Sequence, residues 1–214
     1  MVKNLKCIIW DWNGTILDDV YLCYKIARDM LIERGMKPIE GLDAYKNVFR
    51  FPVKEYYSDM GYTYETESYE ALSVEFVDLY AKGYPNCSLQ PDVHEMLRYV
   101  REKGMSQILL SATGQANLDV QVAKFGLTNE FDEILGQVND LAVSKAERAR
   151  IWFEEKGYDP SEAVFIGDTD HDFEVASSIG CGCILTERGH QPRSKLEACG
   201  VPVIDRLGEL KQYI

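Results

Sequence analysis

The chain has 214 residues, 46% of them hydrophobic and 27% charged, and carries a net charge of −12. That balance excludes a disordered or fibrous chain, and the length allows one full-sized domain with a small satellite. The acidic excess weighs against nucleic acid or an anionic membrane as partner, but a metal ion, a lysine and backbone N–H groups can reverse the field locally and admit a small anion.

The first element is the apolar run LKCIIWDW at 5–12, which ends in the turn signal Asn13-Gly14 and reads as a buried parallel strand ending near Trp10. Its apolar stretch is too short for a signal peptide, and no run approaches the ~20 residues that span a bilayer, so a cytoplasmic protein is expected. From Asp18 to Arg34, Val20, Leu22, Ile26, Met30 and Leu31 recur at helical spacing, with Gly35 as a stop. Residues 42–60 and 65–82 give two or three more helices, with Pro52 starting one. Beyond Pro91 the pattern alternates: helix 92–103, strand 106–112, helix 116–125, strand 133–136, helix 144–156 with Ser144 as N-cap, strand 163–168, helix 171–179, strand 183–186, strand 202–204 and a short final helix.

This alternation implies a parallel sheet covered on both faces, and the strand-free residues 18–84 read as an insertion. The expected fold is α/β, a Rossmann-like doubly wound sheet core (1–17 plus 85–214) with an inserted helical cap subdomain (18–84). The cysteines, Cys7, Cys23, Cys87, Cys181, Cys183 and Cys199, are scattered and read as reduced thiols. Cys181 and Cys183 lie in GCGCIL, a core strand with its lead-in, without a second pair at zinc-ligand spacing.

Ligands in open parallel sheets sit at the carboxyl ends of strands. Three expected strands end there in polar residues: Asp11-Trp12-Asn13-Gly14-Thr15, Ser111, and Gly167-Asp168-Thr169-Asp170-His171-Asp172, with Lys145 opening a helix. The order D-x-N-G-T, strand-end Ser, Lys and G-D-x-x-x-D resembles the haloacid dehalogenase superfamily over essentially the whole chain, most closely the phosphoglycolate phosphatase group. The resemblance implies a phosphatase acting on a small phosphorylated metabolite. Asp11 would be the nucleophile that forms an aspartyl-phosphate. Ser111 would hydrogen-bond a phosphoryl oxygen, and Lys145 would neutralise charge. Mg²⁺ would be held by Asp11, Asp168 and the Asn13 carbonyl, supported by Asp172. Thr15, Ala112 and, from the cap, Arg50 would contact substrate.

Asn13 departs from the family, which usually has an acid–base aspartate there; an amide cannot exchange a proton at neutral pH. Losing such a group costs ~10²–10⁴ in rate, so turnover is expected to favour aryl or acyl over alkyl phosphates. The departure keeps two alternatives open: a weakened relative that binds a phosphorylated ligand or protein, and a phosphonate-cleaving hydrolase that would need a cap lysine such as Lys25, Lys37, Lys46 or Lys54. His171 reads as a surface residue, His94 and His190 show no partner for metal or triad chemistry, and Tyr56, Tyr57, Tyr62 and Tyr64 read as packing within the cap.

Overall fold

A computed structural model describes residues 4–137 and 144–214. In chain order, the strands are β1 (Cys7–Trp10), β2 (Leu17–Asp18), β3 (Ser88–Leu89), β4 (Ser106–Gly114), β5 (Glu133–Gln137), β6 (Ala163–Gly167), β7 (Gly182–Thr186) and β8 (Val203–Ile204). The α-helices are α1 (Val20–Glu33), α2 (Leu42–Val48), α3 (Val53–Asp59), α4 (Tyr69–Gly83), α5 (Val93–Glu102), α6 (Gln115–Lys124), α7 (Lys145–Lys156), α8 (Asp170–Ile179) and α9 (Arg193–Glu197).

Six strands form one sheet in the order β5-β4-β1-β6-β7-β8, and every pair in it is parallel. Alternate residues of each strand face opposite sides. Ile8, Trp10, Leu109 and Ile166 belong to one buried cluster, covered by α1, α5 and α6. Cys7, Ile9, Ile108 and Phe165 belong to the other, covered by α7, α8 and α9. Each such fully buried large side chain contributes ~1.5–3 kcal/mol, which requires both faces of the central strands to be apolar. The doubly wound α/β class read from the sequence is the class observed.

The chain order reverses at β1, which lies between β4 and β6, so the switch point lies at the ends of β1 and β6. Trp10 pairs with Ile166, which places Asp11 level with the end of β6. Helices α1 to α4 enter and leave through a two-strand antiparallel ribbon, with Leu17 opposite Leu89 and Asp18 opposite Ser88. Neither this ribbon nor α9 is apparent in the sequence; two-residue strands carry too little periodicity to be read. No helix among the described residues is long and apolar enough to cross a membrane.

Candidate active site

The turn after β1 is shaped by Gly14, whose φ is +74°, a conformation natural to glycine. A Cβ there would also run into the Asp168 carboxylate and the His190 ring. Gly167, at the end of β6, leaves room for Asp172 in the same way. Asp172 lies in the first turn of α8, where its Oδ2 accepts hydrogen bonds from the backbone N–H groups of Asp168 and Thr169, both at 3.1 Å. Together with the Thr169 hydroxyl this closes a capping box and fixes the helix entry.

Asp11, Asp168 and Asp172 each offer a carboxylate oxygen within 4.8 Å of the others, and all three are buried. Lys145, held at the start of α7 by the Ser144 N-cap, donates to Asp11 Oδ1 at 2.6 Å and to Asp172 Oδ1 at 2.7 Å. Thr15 donates through Oγ1 to Asp168 Oδ1 at 3.1 Å, and the His190 N–H donates to Asp168 Oδ2 at 2.6 Å. Burial pushes the Asp11 carboxyl well up, and Asp172 and Asp168 add to the rise against Lys145. Burial likewise pushes Asp168 up to about 6, His190 opposing and Asp172 reinforcing it. Burial raises the Asp172 carboxyl too, but the charge and hydrogen bond of Lys145, with the hydrogen bonds from Thr169 and the Asp168 N–H, together outweigh it and hold the group below its usual range. Three buried carboxyl groups facing one lysine form a set of oxygen ligands of the kind that can hold a divalent cation.

Ser111 is buried at the end of the regular part of β4, with its Oγ accepting from the Thr113 N–H at 3.1 Å. Ser111, Ala112, Asn13, Lys145 and the three aspartates line one cavity of about 730 Å³ that extends beneath α2 to α4. Arg50 is not brought to it: the guanidinium is exposed and paired with Asp59 at 2.6 Å and Glu55 at 2.7 Å. Position along the sequence does not tell which way a side chain points. No cap lysine lines the cavity among the described residues, and Lys46 donates to the Glu187 carbonyl at 3.1 Å.

Several participants are not apparent from the sequence. Asp19, fully buried, accepts from the Gly14 N–H at 2.9 Å, from Asn13 Nδ2 at 2.7 Å and from the Tyr80 hydroxyl at 2.7 Å. Asn13 Oδ1 in turn accepts from the Thr113 hydroxyl at 3.0 Å. His190 does have partners: Nε2 lies 3.2 Å from Asp19 Oδ1, and Nδ1 lies 2.8 Å from the Tyr45 hydroxyl. Burial raises the Asp19 carboxyl, yet the charge and hydrogen bond of His190, with those of Asn13 and Tyr80, outweigh it and hold the group low. His171 is not a free surface side chain either, since its ring stacks on Phe51 at 4.6 Å. Tyr56 and Tyr57 pack in the helical layer as expected and also line the cavity. The loop carrying His190 and the helix α9 that follows it are braced from the helical layer, with Gln191 Nε2 and Lys195 Nζ donating to the Phe49 carbonyl at 3.2 and 3.3 Å.

A family model described as haloacid dehalogenase-like hydrolase matches residues 8–186. Phosphoglycolate phosphatase of Pseudomonas putida is 24% identical over 202 residues, covering 90% of this chain and 73% of that one. The Synechococcus elongatus phosphoglycolate phosphatase is 21% identical, covering 98% and 97%. Among solved structures, a haloacid dehalogenase-like family hydrolase from Streptococcus pneumoniae superposes with a TM-score of 0.84 at 15% identity, over 98% of both chains. Protein tyrosine kinase A of Mycobacterium tuberculosis superposes with a TM-score of 0.81 at 20% identity, over 99% of this chain and 98% of that one. At such identities the superpositions show a common fold and leave the chemistry to the site.

Proposed function

Because the chain belongs to the haloacid dehalogenase-like hydrolase family, we propose that it is a Mg²⁺-dependent phosphatase of a small phosphomonoester, with Asp11 as nucleophile. The convergence of Asp11, Asp168 and Asp172 around Lys145, from three separate segments, carries this reading. The phosphoglycolate phosphatase relatives agree with it. The same reading divides the chain into a core of 1–17 and 85–214 and a helical cap of 18–84, and places the protein in the cytoplasm.

Asp11, Asp168 and the Asn13 carbonyl would hold the ion, with Asp172 behind them. When bound, the ion offsets the charge of carboxylate and phosphoryl group and lets the two anions meet. A carboxylate oxygen of Asp11 attacks phosphorus, and the bond from phosphorus to the ester oxygen breaks, the oxygen leaving with the electron pair. Lys145 and the Ser111 hydroxyl hold charge and orientation during transfer. Water then attacks phosphorus, releasing inorganic phosphate and restoring Asp11; its proton balances the one taken up by the departing alkoxide or phenoxide. Asn13 is fixed by hydrogen bonds and supplies no proton.

Hydrolysis of p-nitrophenyl phosphate with and without Mg²⁺, beside Asp11→Asn, tests the proposal. Metal-dependent turnover lost in the variant is expected. Absence of turnover across a broad phosphate panel would leave a binding protein instead.

A further inference from the structure

We infer that the substrate is a small aryl phosphate with an uncharged ring, rather than a phosphorylated acid such as phosphoglycolate. This rests on the phosphatase reading and concerns the part of the cavity beyond the reacting cluster. There the wall is aromatic: Phe76 and Tyr80 on α4 and Tyr84 just beyond its end follow one another with near-parallel rings, tilted by only 16° and 17° between neighbours. Phe49, Phe51 and Tyr56 face the cavity from α3 and its lead-in. The volume of about 730 Å³ takes an aromatic ring together with its phosphate.

Charge decides against an acid. Lys145 is the only lysine or arginine lining the cavity among the described residues, and it is committed to Asp11 and Asp172. Arg50 is spent on Asp59 and Glu55, and Lys54 lies over the Tyr64 ring. His190 has both ring nitrogens engaged, and His171 faces Glu174 at 3.3 Å. A second anionic group in the aromatic part of the cavity would therefore find no lysine or arginine of its own among the described residues, which is unfavourable.

Chemistry points the same way. With an amide at Asn13, the leaving oxygen departs without a proton from that position. A phenol, with a pKa near ~10, tolerates this far better than an aliphatic alcohol, whose acidity is close to that of water at ~15.7.

Two measurements test this in the Mg²⁺-loaded protein. Calorimetric binding of the non-hydrolysable pair benzylphosphonate and phosphonopropionate compares a ring with a carboxylate at equal reach. Ring contacts with the wall should make benzylphosphonate about tenfold tighter or more. Phe76→Ala should remove most of that preference, and Val77→Arg, on the exposed rim of α4, should shift it toward phosphonopropionate. Turnover of phenyl phosphate should exceed that of cyclohexyl phosphate, and both that of phosphoglycolate. Equal or tighter binding of phosphonopropionate by the wild-type protein would overturn the inference, as would preferred turnover of phosphoglycolate. If no ester turned over but the ring preference held, the phosphatase reading would fail and the ligand class would stand.

Discussion

Replacing Asn13 by Asp restores the family's usual residue, yet in this chain it should destabilise the protein. The Asn13 amide donates to Asp19 Oδ2 at 2.7 Å, so the substitution sets one carboxylate against another. At that separation the repulsion is about 6 kcal/mol for an effective dielectric of 20. Taking up a proton is less costly. Asp19 is held ionised by His190 and Tyr80, so the new carboxyl carries the proton. Keeping it there at pH 7, about three pH units above the reference carboxyl value, costs about 4 kcal/mol, and at pH 5 only about 1.5 kcal/mol. The folded pKa of residue 13 is thus raised above its unfolded value. The variant should match the parent below about pH 4 and fall behind as pH rises toward 7. Urea unfolding followed by tryptophan fluorescence at pH 5 and pH 7, without divalent metal, reads the difference. Adding Asp19→Asn should recover most of the loss. Equal stability of Asn13→Asp and parent at both pH values would refute the contact between residues 13 and 19. The proton so held is also available to a leaving group, so turnover of alkyl phosphates should rise. An unchanged rate would show that another group supplies the proton. Because Asn-Gly sequences deamidate, the mass of residue 13 should be verified in every preparation.

Asp11→Asn should lower turnover on the order of a thousandfold or more while leaving the circular dichroism spectrum intact; retained turnover would remove Asp11 as nucleophile. Lys145→Met leaves Asp11 and Asp172 buried without their cation and should cost about 3 kcal/mol or more in metal-free urea unfolding, a loss that saturating Mg²⁺ should reduce. Mg²⁺ at 100 times its dissociation constant should stabilise the parent by about 2.7 kcal/mol, reversibly on chelation, and Asp168→Asn should abolish the effect. Burial pushes the thiols of Cys7 and Cys181 up to about 12, so iodoacetamide at pH 8 should label them in urea but barely in the native protein. Rapid native labelling of either would place it outside the core.

The sheet and the acidic cluster were legible because both write themselves locally. Central strands such as CIIW and AVFIG are apolar on both faces, and D-x-N-G-T and G-D-x-x-x-D each fit within a single turn at a strand end. Ser144 could be read as a cap for the same reason, since its partner is the Glu147 N–H three residues on. What could not be read depends on contacts between distant segments. Asp19 looks like one of two surface acids, and His190 like an isolated histidine, until the fold brings them together across 171 positions. Arg50 shows the converse: a cation in a plausible place whose nearest carboxylates, Asp59 and Glu55, claim it first. The aromatic wall was visible as composition, but the sequence could not say that Tyr56 faces the cavity as well as its neighbours.

The loop between β7 and α9 touches both halves of the molecule at once. Its His190 N–H holds Asp168, while its His190 ring, Glu187 carbonyl and Gln191 amide hold Tyr45, Lys46 and the Phe49 carbonyl. Lifting the helical layer would cost these braces and slacken the grip on Asp168. If Asp168 holds the proposed cation, occupancy beneath the helices and occupancy by that cation would be linked equilibria, each strengthening the other by the same factor. Release of product would loosen the ion, and an ion-depleted protein would stand open more often.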